Sequence, residues 1–144
     1  MPPLEVGDPL AHRALQALVR AETTVRRAVA HELDRERLSP AGFSVLVVLT
    51  TAGGELELKT LRRRLGWSKA NATEVTRTLE DRGLVRRRRL PDDRRAVRIE
   101  LTAEGAELVE RAFPGHTQRV SQTFAALDEH EKRSLADICR KLAA

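Results

Sequence analysis

Between Gly83 and Thr102 the chain reads GLVRRRRLPDDRRAVRIELT. Arg86, Arg87, Arg88, Arg89, Arg94 and Arg95 surround one proline and two aspartates, and Arg98 follows. Guanidinium groups at this density suit one chemistry above others: charge-assisted, often bidentate hydrogen bonding to phosphates or carboxylates. Residues 62–98 hold 13 Lys/Arg against 5 Asp/Glu, whereas the rest of the chain holds 13 against 16. A basic centre between mildly acidic ends is the electrostatic footprint of a nucleic-acid binder, with an anionic membrane surface as the other partner of matching charge.

Just upstream, SKANATEVTR offers a second set of groups. Ser68, Lys69, Asn71 and Thr73, with Thr76 as a further candidate, are short or flexible hydrogen-bonding side chains near the start of a helix. Asn pairs bidentately with adenine and Thr meets a thymine methyl in the major groove. Arg77, one turn on, has the reach for a base edge or a phosphate. At the tip of the arginine-rich stretch, Arg94 and Arg95 are long cations suited to a narrow, strongly negative minor groove. Asp93 stands two residues before Arg95, a spacing at which a carboxylate can align the guanidinium by a charge-assisted hydrogen bond. Arg86 to Arg89 alternate faces along a strand, so they cannot all touch one ligand. Arg86 and Arg88 are taken as the pair that meets flanking phosphates.

The elements around these residues must hold them. Leu10, Ala14, Leu18, Ala21, Val25, Val29 and Leu33 recur at three- and four-residue steps and predict a long amphipathic helix over 9–33. Ser39 and Pro40 start a second helix, apolar almost all round, that Gly53 and Gly54 end. Leu58, Leu61 and Leu65 mark a short helix, Gly66 breaks it, and Ser68 caps another that runs to about Arg82, with Trp67 placed as a hydrophobic staple. Two helices about a tight Gly-containing turn make a helix-turn-helix. After Gly83, alternation through Val97, Ile99 and Leu101, with Leu84, Val85 and Leu90 on the facing strand and Pro91, Asp92 and Asp93 between, predicts a β-hairpin. Thr102 opens a last helical region that Pro114 and Gly115 should interrupt and kink. Asp128 and Glu131 then form a capping box for a final helix bearing Leu135, Ile138 and Leu142 on one face.

The expected fold is therefore mainly α with a small β wing: a winged helix-turn-helix over 38–101 between dimerisation helices at 1–37 and 102–144. Apolar stripes on the terminal helices exceed what a winged helix needs to cover its core, and two copies packing them together would form a homodimer.

Other chemistries find little support. Apolar residues make up 41% and charged residues 33%, but aromatics are only 3%, with no tyrosine, which is thin for a pocket built on stacking. His12, His31, His116 and His130 lack the spacing of a helical metal pair, and the single Cys139 forms no disulfide framework, so no metal or cofactor is expected. Neither a nucleophile motif nor a Gly-rich phosphate loop is present, which argues against an enzyme. MPPLEVGDPLAHR has no apolar core or cleavage pattern and no stretch is apolar enough to span a bilayer, so a cytoplasmic location and no membrane partner are expected.

Across roughly Leu38 to Leu127 the chain resembles the MarR family of bacterial winged-helix regulators. The resemblance rests on LSPAGFSVLVVL, LRRRLGWSKANAT, LEDRGLVRR, PDDRRAVRIELTAEG and FPGHTQRV, with the Asp-x-Arg tip followed by a strand and Leu-Thr as its most specific part. It implies a dimer with recognition helices in successive major grooves of a pseudo-palindromic double-stranded DNA site. It places Arg95, supported by Asp93, in the minor groove. It also implies regulation by a small molecule, often an aromatic anion, bound between the dimerisation helices and the winged helix. Glu74 and Thr78 stand where family members often carry Arg, so base contacts do not transfer directly; Glu74 either accepts from cytosine or pairs with Arg77. The expected function is a transcriptional regulator, read as a repressor released by its effector. The alternative is a low-specificity architectural DNA-binding protein without one.

Overall fold

The computed structural model describes residues Met1–Ala144. Helix α1 spans Pro9–Leu33, with the Asp8 carboxylate accepting from the amides of Leu10 and Ala11 at 3.0 and 3.1 Å. A 3-10 turn over Asp34–Glu36 and a left-handed Arg37 (φ 53°) lead into α2, Pro40–Thr51, capped by Ser39. Strand β1 (Glu55–Glu57), α3 (Leu58–Leu65) and α4 (Lys69–Asp81) follow. Strands β2 (Val85–Leu90) and β3 (Asp93–Leu101) form the hairpin, and α5 (Ala103–Thr123) and α6 (Glu129–Ala143) complete the chain. The helix-turn-helix is α3–α4, with Gly66 in the left-handed region (φ 70°) that a Cβ disfavours, and the wing is β2–β3. The fold is mainly α with a small sheet, as the sequence predicts.

Two elements differ from that expectation. The sheet has three strands in the order β1-β3-β2, and β1 pairs antiparallel with β3 through Leu56 opposite Ile99. Its three residues are too few for alternation to announce a strand. Helix α5 also runs unbroken through Pro114 and Gly115. Pro114 and Glu110, whose carbonyl loses its partner, are both exposed residues, so solvent can take the missing hydrogen bond. Gly115 lies against the Glu32 carboxylate of α1, where a Cβ would come within 2.5 Å of it.

The core gathers Phe43, Leu46 and Leu49 of α2, Leu61 of α3, Leu79 of α4, Val85 of β2, Ile99 of β3 and Leu108 of α5. Helices α2 to α4 and both wing strands contribute, so truncating one of these leucines to alanine should cost about 2–5 kcal/mol. The wing is tied to the end of the helix-turn-helix at its base. Thr102 donates its hydroxyl to the Gly83 carbonyl at 2.6 Å and its amide to the Leu84 carbonyl at 3.1 Å. Gly105 fits against that backbone only because it has no side chain, since a Cβ would sit 2.2 Å from the Leu84 oxygen. This is the physical reason for glycine in LTAEG.

The terminal helices behave differently. Leu10, Leu15, Leu18 and Val19 of α1 and Leu135, Ile138 and Leu142 of α6 are exposed in the single chain. No helix is long and apolar enough to cross a membrane.

Candidate nucleic-acid interface

Helix α4 turns Ala72, Thr76 and Leu79 into the core. The helical period then presents Ala70, Glu74, Arg77 and Asp81 on the opposite side, and they border an open surface with Lys69, Thr73 and Thr78. Ser68 caps the helix by accepting from the Asn71 amide at 3.1 Å, which leaves its proton free for an external acceptor. Thr76 is not available: it is fully buried and its hydroxyl donates to the Ala72 carbonyl at 2.8 Å. A hydroxyl bonded back to its own helix suits an interior position, and the sequence reading of Thr76 as a groove contact is corrected.

A groove runs between α4, α3 and the inner face of the wing. Lys59, Arg62, Lys69, Arg77, Arg87, Arg89 and Arg95 line it, against Glu57 and Asp93 alone of the acids. Thr73 also lines it. Asn71 is exposed on the flank away from the wing, beside Arg37 and Ser39.

The wing's register decides which arginines enter. Arg87 lies opposite Ile99 and Arg89 opposite Val97, so both share the inner face of the sheet. Arg87 is half-buried; its amide donates to Glu80 Oε2 at 2.8 Å and its guanidinium reaches the Thr73 carbonyl at 3.4 Å. Burial and then repulsion from Arg77 lower its pKa below the ordinary arginine value, yet an arginine stays protonated at neutral pH. The groove thus holds crowded positive charge that an anion would relieve. Arg86 and Arg88, the pair chosen from sequence, are exposed and do not line the groove. Arg88 instead pairs with Glu100 at 2.9 Å on the outer face. There too, Arg98 pairs with Glu55 at 2.8 Å.

The tip is braced through its backbone. Asp93 Oδ1 accepts from the Arg95 amide at 2.9 Å, so the expected side-chain pairing of Asp93 with the Arg95 guanidinium is replaced by an Asx-type turn. The Arg89 guanidinium donates to the Arg94 carbonyl at 2.7 Å. Both bonds fix the loop and leave the exposed Arg94 and Arg95 side chains free. Sequence reasoning missed Lys59, Arg62, Arg87 and Arg89. The helical spacing of α3 could have signalled Lys59 and Arg62, which lie three residues apart.

Residues 38–97 match the family model described as MarR family. The transcriptional repressor MprA of Escherichia coli (strain K12) is 38% identical over 111 residues, 76% of this chain. The match spans 63% of MprA's own length. The transcriptional repressor YetL of Bacillus subtilis (strain 168) is 30% identical over 118 residues, 78% of this chain and 71% of YetL. The chain belongs to the MarR family. Its relatives are regulators of transcription rather than enzymes.

Solved structures of transcriptional regulators, one of them described as MarR family, share the fold. Sco3205 from Streptomyces coelicolor, in complex with DNA, superposes with a TM-score of 0.84 at 26% identity, over 99% of this chain and 90% of that one. The organohalide-sensing regulator RdhR-CbdbA1625, bound to 2,4-dichlorophenol, superposes with a TM-score of 0.86 at 25% identity, over 99% and 85%. In this MarR-family chain the basic groove therefore lies on a scaffold that binds DNA in a relative.

Proposed function

We propose that the protein is a homodimeric, sequence-specific DNA-binding repressor of the cytoplasm. In this reading each α4 enters a major groove of a pseudo-palindromic operator. The wing carries Arg94 and Arg95 into the adjoining minor groove, while Arg87, Arg89, Lys59 and Arg62 neutralise the phosphates between. The observation that carries it is the groove between α4 and the wing, with seven bases and two acids on its walls. Residues 38–101 act as the DNA-binding unit; 1–37 and 102–144 join two copies through the exposed apolar residues of α1 and α6. The DNA-bound Sco3205 supports the first part of this reading and the repressor MprA supports its sign.

Release by a small aromatic ligand completes the proposal. The dichlorophenol-bound RdhR-CbdbA1625 supports it, as does one feature of this chain. His116 packs its ring 4.7 Å from that of Phe43, where α5 meets α2, and its buried Nδ1 has no hydrogen-bond partner. Burial lowers the His116 pKa from the ordinary histidine value and so disfavours the charged ring. Ligand would release DNA if it binds best to a spacing of the two α4 helices that no longer fits successive grooves.

Fluorescence anisotropy on the duplex immediately upstream of the protein's own gene, against a scrambled duplex at near-physiological salt, tests the reading. A preference of about 10³-fold or more for one site is expected. Equal binding to the scrambled duplex and to every upstream fragment of the genome would replace it with the architectural alternative.

A further inference from the structure

The centre of the outward face of α4 is occupied by an acid. Glu74 lies between Ala70, one turn earlier, and Arg77, three residues later, and all three border the same open surface. It is exposed and forms no ion pair. Arg77 is left free by it, and the neighbouring Thr78 turns its hydroxyl back to the Glu74 carbonyl at 3.1 Å. The other acid on this face, Asp81, is the last residue of the helix, at the end away from the groove-entering N-terminus. Any approach that seats α4 in a major groove therefore brings the Glu74 carboxylate to the base edges, between two walls of phosphate.

An ionised carboxylate only accepts hydrogen bonds. In the major groove guanine offers O6 and N7 and thymine offers O4, all acceptors that repel it. Adenine offers a donor at N6 but an acceptor beside it at N7, whereas cytosine offers the N4 amino group without that neighbour. We infer that Glu74 is a specificity-determining residue that accepts from the N4 amino group of a cytosine in each half-site and penalises every site lacking it. This rests on the preceding reading that α4 enters a major groove. The logic is repulsive as much as attractive: a carboxylate desolvated among phosphates with no donor is costly, so Glu74 weakens binding to all DNA except the sites that satisfy it. Arg77, unpaired on the same face, supplies the complementary chemistry, a bidentate donor for a guanine.

The test is selection from a random duplex library by the full-length protein, by Glu74→Gln and by Glu74→Ala. Dissociation constants are then measured on the selected duplexes and on one unrelated duplex. Because the Glu74 side chain is exposed and unpaired, both variants should keep the wild-type circular dichroism. The wild type should enrich cytosine at one position of each half-site, and a C·G to T·A change there should weaken it on the order of tenfold. Glu74→Gln should shift that position toward adenine, since an amide donates to N7 while accepting from N6. Glu74→Ala should lose the preference, and both variants should bind the unrelated duplex more tightly than wild type. Identical selected sequences for all three proteins would overturn the assignment while leaving the operator-binding reading intact. Failure of the wild type to enrich any sequence would overturn both.

Discussion

The two faces of the wing carry the same residue type in different states. On the outer face Arg88 and Arg98 are closed into pairs with Glu100 and Glu55. On the inner face Arg87, Arg89 and Arg95 line a groove together with the bases of α3 and α4, and Asp93 there spends its carboxylate on a backbone amide. An arginine already bound to a carboxylate has little left to offer a phosphate, and such solvent-facing, partly exposed pairs contribute on the order of 1 kcal/mol or less to stability. A crowded, unpaired set does the reverse: it is held in place at some electrostatic cost and gains when a polyanion arrives. The arginine run is thus two devices, one that knits a small sheet and one that, in the proposed reading, receives DNA.

Substitutions on the two faces should separate these roles. Arg95→Ala should have the largest effect, a loss of about 1–3 kcal/mol in operator affinity by anisotropy, with the thermal unfolding of the free protein unchanged. Asp93→Ala should act through the same tip but more weakly. It removes one backbone hydrogen bond, worth about 0.5–1.5 kcal/mol, and the loss should appear in operator affinity because the freed loop must be ordered on binding. Arg88→Ala should be the smallest: operator affinity within about twofold of wild type, and a loss of stability of no more than about 1 kcal/mol in a denaturant titration. An Arg88→Ala defect in DNA binding as large as that of Arg95→Ala would erase the distinction between the faces.

The framework was legible from residue pattern alone. Ser39, Ser68, Thr102 and Asp128 each cap the helix that the sequence assigns to them, because a short side-chain oxygen before an apolar period has a local cause and a local effect. The choice of strand arginines was not legible, and the reason is register. A hairpin pairing Leu90 with Asp93 and continuing regularly would set Arg86 and Arg88 across from β3's inward residues. The irregularity between Arg89 and Leu90 changes that parity, so Arg87 meets Ile99 and Arg89 meets Val97. One local distortion exchanges the faces of four consecutive arginines. Thr76 was misread for a related reason: composition marks a hydroxyl as polar, but only the packing of α4 on the core shows which side it faces.

The most direct measurement is the salt dependence of operator binding for wild type, Arg87→Gln and Arg88→Gln. If the inner face alone meets phosphate, Arg87→Gln should flatten the slope of log K against log salt by about 0.9, the contribution of one phosphate contact, while Arg88→Gln keeps the wild-type slope. A flatter slope for Arg88→Gln with an unchanged one for Arg87→Gln would contradict the assignment of the two faces.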